Sequence, residues 1–308
     1  MVGSLVLDRF LIERRIGSGG FGTVYEAWDG RLERPVAVKA IDSGGRAGCD
    51  RVLREAQAAA RLNHPGIVTL YEMGEEDGSA LLVTELVDGD TLDQVSHAGG
   101  LSDREIGEIG ADLCEALDHA HSRSVVHRDI KPQNVLVAEN DNGVRAKLMD
   151  FGVARLTDES PLTAPGDIVG TLAYMAPEQA EGRADVGPEA DIYSLALILY
   201  ECWTDENPHR RATPAATARA IGTRARPLRR ARPDLPRELS ETVDGCLEPR
   251  PSRRPSLEEL GESIENSLEL LAEAPAGYGH PHMARLAVAG TAVVLGVWLA
   301  AGQGVGLP

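Results

Sequence analysis

Lysine is almost missing from this chain of 308 residues: Lys39, Lys131 and Lys147 stand against 28 arginines. In a protein that otherwise takes its positive charge from arginine, each lysine asks for a reason. Lys39 and Lys131 fall inside motifs treated below, while Lys147 reads as a compositional accident with no role. Aromatic residues are scarce too, at 4%, so a core has to be assembled mainly from Leu, Val, Ile and Ala. Cysteine is limited to Cys49, Cys114, Cys202 and Cys246, at no paired spacing. That excludes a zinc framework or a disulfide scaffold and suits a reducing compartment. Basic residues are outnumbered 31 to 48, for a formal charge of −17, which excludes a chain that coats nucleic acid. The histidines form no ligand set, since His119 and His121 are two apart and so on different faces of a helix.

What is present is the composition of a folded protein, with 43% hydrophobic residues and length for one large domain or two modest ones. The opening "MVGSLVLDRF" holds an apolar run too short for a secretory signal and has no basic start. From Phe10 to about Val87 the pattern favours strands, with "VAVKAI" and "ALLVTELV" as β-branched or aliphatic runs bounded by turn residues. One helical stretch, "DRVLREAQAAARLN", interrupts them and stops at "HPG". Beyond "VDGDTL" helical patterns take over. Ser102 is placed as the N-cap of a helix whose apolar face is Ile106, Ile109, Leu113 and Leu117. Further helices are predicted at "PEADIYSLALILYECWT" and "SLEELGESIENSLELLAEA". A small strand-rich part followed by a larger helical part predicts an α+β fold of two lobes. The boundaries expected are a domain over 8–273, divided into a small lobe 8–86, a hinge 85–91 and a large lobe 92–273.

Two stretches stand apart. His209 to Arg237 holds nine arginines and one acid, about +8, which leaves about −25 on the rest of the chain. It reads as a solvated face, the alternative being a docking surface for acidic partners or anionic lipid. Residues 286–302, "LAVAGTAVVLGVWLAAG", carry no charge and follow a Pro/Gly/His linker and Arg285. Apolar all round, they predict a membrane-spanning helix over 286–304, after a linker 274–285 and before a short tail 305–308. With Arg285 on the inner flank, the rest of the chain is expected on the cytoplasmic side of the membrane. Ala292, Gly296 and Ala300 form a small-residue stripe along that span that would allow a homodimer.

The chemistry-bearing residues come in blocks. "IGSGGFGTVYEA" places Gly17, Gly19 and Gly22 as G-x-G-x-x-G, a pattern shared by dinucleotide turns and phosphate-covering hairpins. A dinucleotide turn opens a helix, whereas "TVYEAWD" is β-branched and aromatic and predicts a second strand. Glycine hairpins let backbone N–H groups approach phosphate oxygens, with Val24 against a planar base. "VAVK" then puts Lys39 on the next strand, its stem buried and its ammonium in need of an anion. Glu55, on the following helix, is the expected partner, and the pair would hold α- and β-phosphates. "VVHRDIKPQN" and "LMDFGVA" follow, each a polar cluster at the edge of apolar runs.

The glycine loop, "VAVK", "HRDIKPQN", "DFG" and "MAPE" stand in this order, and over roughly residues 8–270 the chain resembles the Ser/Thr protein kinase family shared by bacteria and eukaryotes. The resemblance implies a protein kinase fold, ATP and Mg2+ as cofactors, and protein substrates with Ser or Thr. It implies that Asp129 orients the substrate hydroxyl or accepts its proton, and that Lys131 neutralises the transferring phosphoryl group. Asn134 and Asp150 would hold magnesium. Ile16, Gly17, Ser18, Gly19, Gly20, Gly22, Val24, Ala37, Lys39 and Glu55 would surround the nucleotide. Behind Thr84, which would gate the pocket, Glu85 and Val87 would meet the base through their backbones. His127 would pack rather than titrate, and Phe151 would lie beneath the helix that carries Glu55. Thr171 would bond Asp129 and Lys131, Glu178 would pair with Arg254, and Asp191 would support the catalytic loop. Alanine stands at position 196 where the family usually has glycine, a matter of local helix packing.

In the family the arginine before the catalytic aspartate, here Arg128, belongs to a pocket for a phosphorylated residue of the activation segment. "RLTDESPLTAPGDIVGT" offers Thr157, Ser160 and Thr163, of which Thr163 is the expected site of activating autophosphorylation. A scaffold that binds without transfer would lack one of Lys39, Glu55, Asp129, Asn134 and Asp150, and all five are present. A small-molecule kinase is disfavoured by "MAPE", Thr171 and the full activation segment.

Overall fold

The computed structural model describes residues 1–19, 22–42, 45–140, 143–151 and 171–273. Its first half is a six-stranded antiparallel sheet in the order β1-β2-β3-β4-β6-β5. The strands are β1 (Leu5–Val6), β2 (Phe10–Gly19), β3 (Gly22–Asp29), β4 (Arg34–Asp42), β5 (Leu70–Glu76) and β6 (Ser79–Glu85). Helix α1 (Arg46–Ala59) lies between β4 and β5 in the chain. Strand periodicity divides the side chains. Leu81 and Val83 join Phe10, Ile12, Val36 and Val38 in one buried cluster, while Ala80 and Leu82 join Ile41 and the α1 residues Cys49, Val52 and Ala56 in another. The sheet is therefore apolar on both faces wherever strands cross its middle.

The second half is helical. Helices α2 (Leu92–His97), α3 (Asp103–His121), α4 (Pro177–Ala180), α5 (Glu189–Thr204), α6 (Pro214–Ala220), α7 (Leu228–Ala231), α8 (Arg237–Cys246) and α9 (Leu257–Glu265) enclose one large core. A small sheet of β7 (Asp90–Thr91), β8 (Val135–Asn140) and β9 (Gly143–Leu148) lies at its edge. Helix α3 begins where Ser102 was placed as its cap: Ser102 accepts from the Glu105 N–H, and the Glu105 carboxylate accepts from the Ser102 N–H in return. Helix α5 is buried nearly all round, from Ala190 to Tyr200, as its unbroken apolar run requires. Ala196 is fully buried in it.

Two helices differ from expectation. Helix α1 starts four residues earlier than "DRVLREAQAAARLN", after Gly45 in left-handed backbone (φ 114°), and stops at Ala59. The predicted C-terminal helix through residue 274 ends at Glu265. The chain turns at Asn266 and Ser267 into a 3₁₀ segment, Leu268–Leu270, which brings Leu268 and Leu271 onto Gly107 of α3. Packing on α3 overrides the continuing helical periodicity. Strand β5 falls within the stretch where strands are expected, although "LYEMGEE" itself shows little apolar alternation. Among the described residues no helix is long and apolar enough to cross a membrane. The linker expected over 274–285, the span over 286–304 with its small-residue stripe, and the tail 305–308 lie outside the described residues, as do Gly20, Thr157, Ser160 and Thr163.

Candidate active site

The site is assembled from strand ends and short loops at the meeting of the two halves. Strands β3 and β4 pair in a register that sets Val24 opposite Lys39, and β4 pairs with β6 so that Ala37 stands opposite Thr84. Ile16 is exposed at the end of the glycine hairpin, with Gly17 and Ser18 paired to Val24 and Thr23. Gly19 pairs with Gly22 at its tip. Gly22 has φ 119°, and a Cβ there would run into the carbonyl oxygen of Ala40, so only glycine closes this hairpin.

The catalytic loop is held from below by a buried carboxylate. Asp191, on α5, accepts from the backbone N–H groups of His127 (2.8 Å) and Arg128 (2.7 Å) and from the His121 ring (2.8 Å). Arg128 is thereby kept at φ 67°, a conformation that costs a non-glycine residue energy unless its surroundings impose it. Both nitrogens of the buried His127 are committed. Nε2 donates to the Met149 carbonyl (2.9 Å) and Nδ1 accepts from the Asp129 N–H (3.3 Å). Its ring lies 4.5 Å from that of Phe151, which is buried. This histidine positions the loop, with both ring nitrogens bonded within the protein.

Above that floor the charged groups converge. Lys131 Nζ is 2.9 Å from Asp129 Oδ2 and donates to Thr171 Oγ1 at 3.1 Å. The Asn134 amide donates to Asp129 twice, at its carbonyl (2.7 Å) and at Oδ2 (3.0 Å). Among the described residues the Thr171 hydroxyl meets Lys131 and not Asp129, whose Oδ2 is taken by Asn134 and Lys131. The Met149 N–H donates to the Asn134 carbonyl, which brings Asp150 beside Asn134. Asp150 has φ 65° and lies 2.7 Å from Lys39 Nζ. Burial pushes the Asp150 carboxyl up, but the Lys39 ammonium, with His127 and Lys131 nearby, holds it below the usual carboxylate range. Glu55 is half-buried on α1.

Lys147, read from the sequence as an accident of composition, has a partner in the fold. Its ammonium lies 2.6 Å from Glu85 Oε1, at the end of β6, and so links β9 to the segment that joins the lobes. All three lysines of the chain are thus ion-paired to a carboxylate. No local pattern marks this pair, because 62 residues separate its members. Val87 is half-buried in the connection that follows Glu85. Farther down, Arg254 grips Glu178 with two bonds of 2.6 and 2.8 Å, both side chains buried, as expected for that pair. Gln179 Nε2 donates to the Arg128 carbonyl (2.8 Å), tying α4 to the catalytic loop.

A strand-rich lobe with a glycine hairpin and an inward lysine, over a helical lobe that presents Asp129, Lys131, Asn134 and Asp150, defines the protein kinase class. The chain belongs to the protein kinase domain family, whose model matches residues 10–263. It is 36% identical over 259 residues to a probable serine/threonine-protein kinase of Clostridium acetobutylicum, covering 82% of this chain and 39% of that protein. It is 37% identical over 262 residues to the serine/threonine-protein kinase PknA of Mycobacterium tuberculosis, covering 82% and 59%. Among solved structures it is similar to the kinase domain of Mycobacterium tuberculosis PknI, with a TM-score of 0.68 and 26% identity over 87% of this chain and 98% of that one. The chain spans less than two thirds of the length of these two curated relatives.

Proposed function

We propose that this chain is a protein-serine/threonine kinase that transfers the γ-phosphoryl group of ATP to serine and threonine hydroxyls of proteins, in signal transduction. The convergence of Asp129, Lys131, Thr171 and Asn134 beside the Lys39–Asp150 pair carries this reading. Bound ATP with Mg2+ supplies the phosphoryl group and neutralises its charge. Asp129 orients the acceptor hydroxyl and takes its proton as the new P–O bond forms and the bond from the γ-phosphorus to the β–γ bridging oxygen breaks, ADP leaving with that oxygen, while Lys131 offsets charge on the transferring group. Lys39, braced by Glu55, holds the α- and β-phosphates, and Gly17, Ser18, Gly19, Gly20 and Gly22 cover them. Ile16, Val24 and Ala37 wall the base, which meets the backbone of Glu85 and Val87.

Asn134 and Asp150 are suited to magnesium, a hard ion usually bound by one or two side-chain oxygens together with substrate phosphates. The Asn134 amide nitrogen is spent on Asp129, which leaves its side-chain oxygen for such an ion. Phosphorylated Thr163 pairs with Arg128 and orders the activation segment, with Thr171 registering the assembled state. The 286–304 segment anchors the chain as a single-pass membrane protein with its kinase domain in the cytoplasm, and its small-residue stripe brings two copies together. Incubation with labelled ATP and magnesium, beside an Asp129→Asn control, tests the reading. Label on protein Ser/Thr in the unaltered chain, at a rate at least about a hundredfold above the control, is expected. Label on a metabolite, or none, refutes it.

A further inference from the structure

The arginine-rich stretch read from the sequence as a solvated face has a definite place in the fold. Three of its nine arginines are used internally. Arg210 pairs with Glu201 (2.8 Å), Arg232 is buried between Asp103 and Asp234, and Arg237 pairs with Glu241 (2.7 Å). The other six, Arg211, Arg219, Arg224, Arg226, Arg229 and Arg230, are all exposed on α6, α7 and their loops. Among the described residues none of these six has a carboxylate within ion-pair distance. Two of them turn to backbone carbonyls instead: Arg211 donates to Arg210 O and Arg226 to Arg230 O, each at 2.7 Å. The only acid in the stretch, Asp234, is already bound by Arg232. A concentrated positive surface is thus left unneutralised on a chain whose remainder carries about −25.

Its position connects it to the catalytic loop. Gly222, between Arg219 and Arg224, has φ 72° and lies against Pro177, where a Cβ would sit 3.2 Å from the proline ring. Pro177 opens α4, and Gln179 on that same turn donates to the Arg128 carbonyl next to Asp129. Two contacts therefore lead from the phosphoryl-transfer aspartate to the basic loop. A polypeptide whose hydroxyl is held at Asp129 has flanking residues on either side, and one flank can run toward these arginines.

We propose that the exposed arginines of α6 and α7 form a docking surface for acidic segments of protein substrates, next to the acceptor Ser or Thr. The inference rests on the kinase reading for the word substrate, though the surface itself does not depend on catalysis. Charge complementarity selects the partner. The rest of this chain repels acidic polypeptides, so the arginine surface is where one gains by binding, and such a field raises encounter rates as well as affinity. Single exposed pairs contribute little, but several acting together give about a tenfold preference at low salt.

The test uses the full chain and two charge-reversed forms, Arg229→Glu with Arg230→Glu, and Arg219→Glu with Arg224→Glu. Binding of a fluorescein-labelled peptide with a glutamate-rich flank beside one serine is followed by anisotropy, against the same peptide with glutamines. Expected is about tenfold tighter binding of the acidic peptide, lost in at least one reversed form and erased at about 0.5 M salt. In turnover assays the KM for the acidic peptide alone should rise, with kcat and the glutamine peptide unaffected. Equal binding of both peptides to the unaltered chain overturns the proposal, as does a preference that survives both reversals. Loss of phosphatidylserine-vesicle binding with peptide affinity unchanged also overturns it and makes the surface a lipid contact. Arginine-dependent peptide binding in a chain that labels no protein leaves the surface standing and removes the kinase reading instead.

Discussion

The Lys147–Glu85 ion pair permits a quantitative forecast. Its two charged groups are 2.6 Å apart, and each side chain is 25% exposed. Glu85 is also held by its backbone, whose N–H donates to Thr69 O (2.9 Å), while the Thr84 hydroxyl donates to its carbonyl at 3.3 Å. Next to Lys147, Leu148 exchanges bonds of 2.8 Å with Gly66 and Val68. The pair is therefore a charged staple across the junction of two sheets that backbone bonds already bring together. Exposed pairs contribute ~0.2–1 kcal/mol, and hydrogen bonds to charged groups ~1.5–3 kcal/mol; a pair three-quarters buried falls near ~1 kcal/mol. Lys147→Met keeps the apolar stem and removes the charge; Glu85→Gln keeps the shape. If the Glu85 peptide meets the base, each substitution should raise the KM for ATP by about fivefold, the equivalent of ~1 kcal/mol, with kcat changed less than twofold. A double-mutant cycle should give a coupling near ~1 kcal/mol that shrinks at high salt. Singles that add to within ~0.3 kcal/mol, or a kcat that falls as far as kcat/KM, would refute the staple.

The remaining predictions concern burial and backbone. Glu178→Gln leaves the Arg254 guanidinium buried without its counter-charge and should destabilise the protein by ~3–5 kcal/mol, seen as a fall in Tm of about 10 °C; a shift under about 2 °C would contradict the argument. Gly22→Ala places a Cβ against the Ala40 carbonyl in left-handed backbone, so nucleotide affinity measured by titration calorimetry should fall at least severalfold. His209 is buried against Tyr193, and burial, with the Arg211 cation, pushes its pKa down to about 4. The unfolded chain then binds the extra proton first, so stability present above about pH 6.5 is lost as pH falls toward 4, by at most ~3 kcal/mol. Denaturation across that range should show the loss in the unaltered protein and not in His209→Phe.

Much of this molecule is local and was readable from the residue order. The Ser102 cap and the Gly19–Gly22 turn each depend on residues three positions apart, and the apolar run of α5 is contiguous, so short windows contain their pattern. The polar clusters around Asp129 and Asp150 could likewise be named before their distances were known, because each is contiguous. Where windows fail, a distant partner has intervened. The C-terminal helix stops early because Leu268 and Leu271 find Gly107, and Arg232 is spent on Asp103, 129 residues away. Lys147 shows the same limit: nothing beside it in the chain reveals Glu85.

Residue order alone thus determined which side chains are available for phosphate, metal and acceptor hydroxyl, since type and spacing set that supply. Only the tertiary structure decided how they are shared. Lys39 meets Asp150 across 111 residues, and Thr171 meets Lys131 across 40. Six arginines are left exposed on α6, α7 and their loops. An ion pair needs its atoms within about 4 Å, and it is the docking of lobes and helices that brings such distant parts of the chain that close.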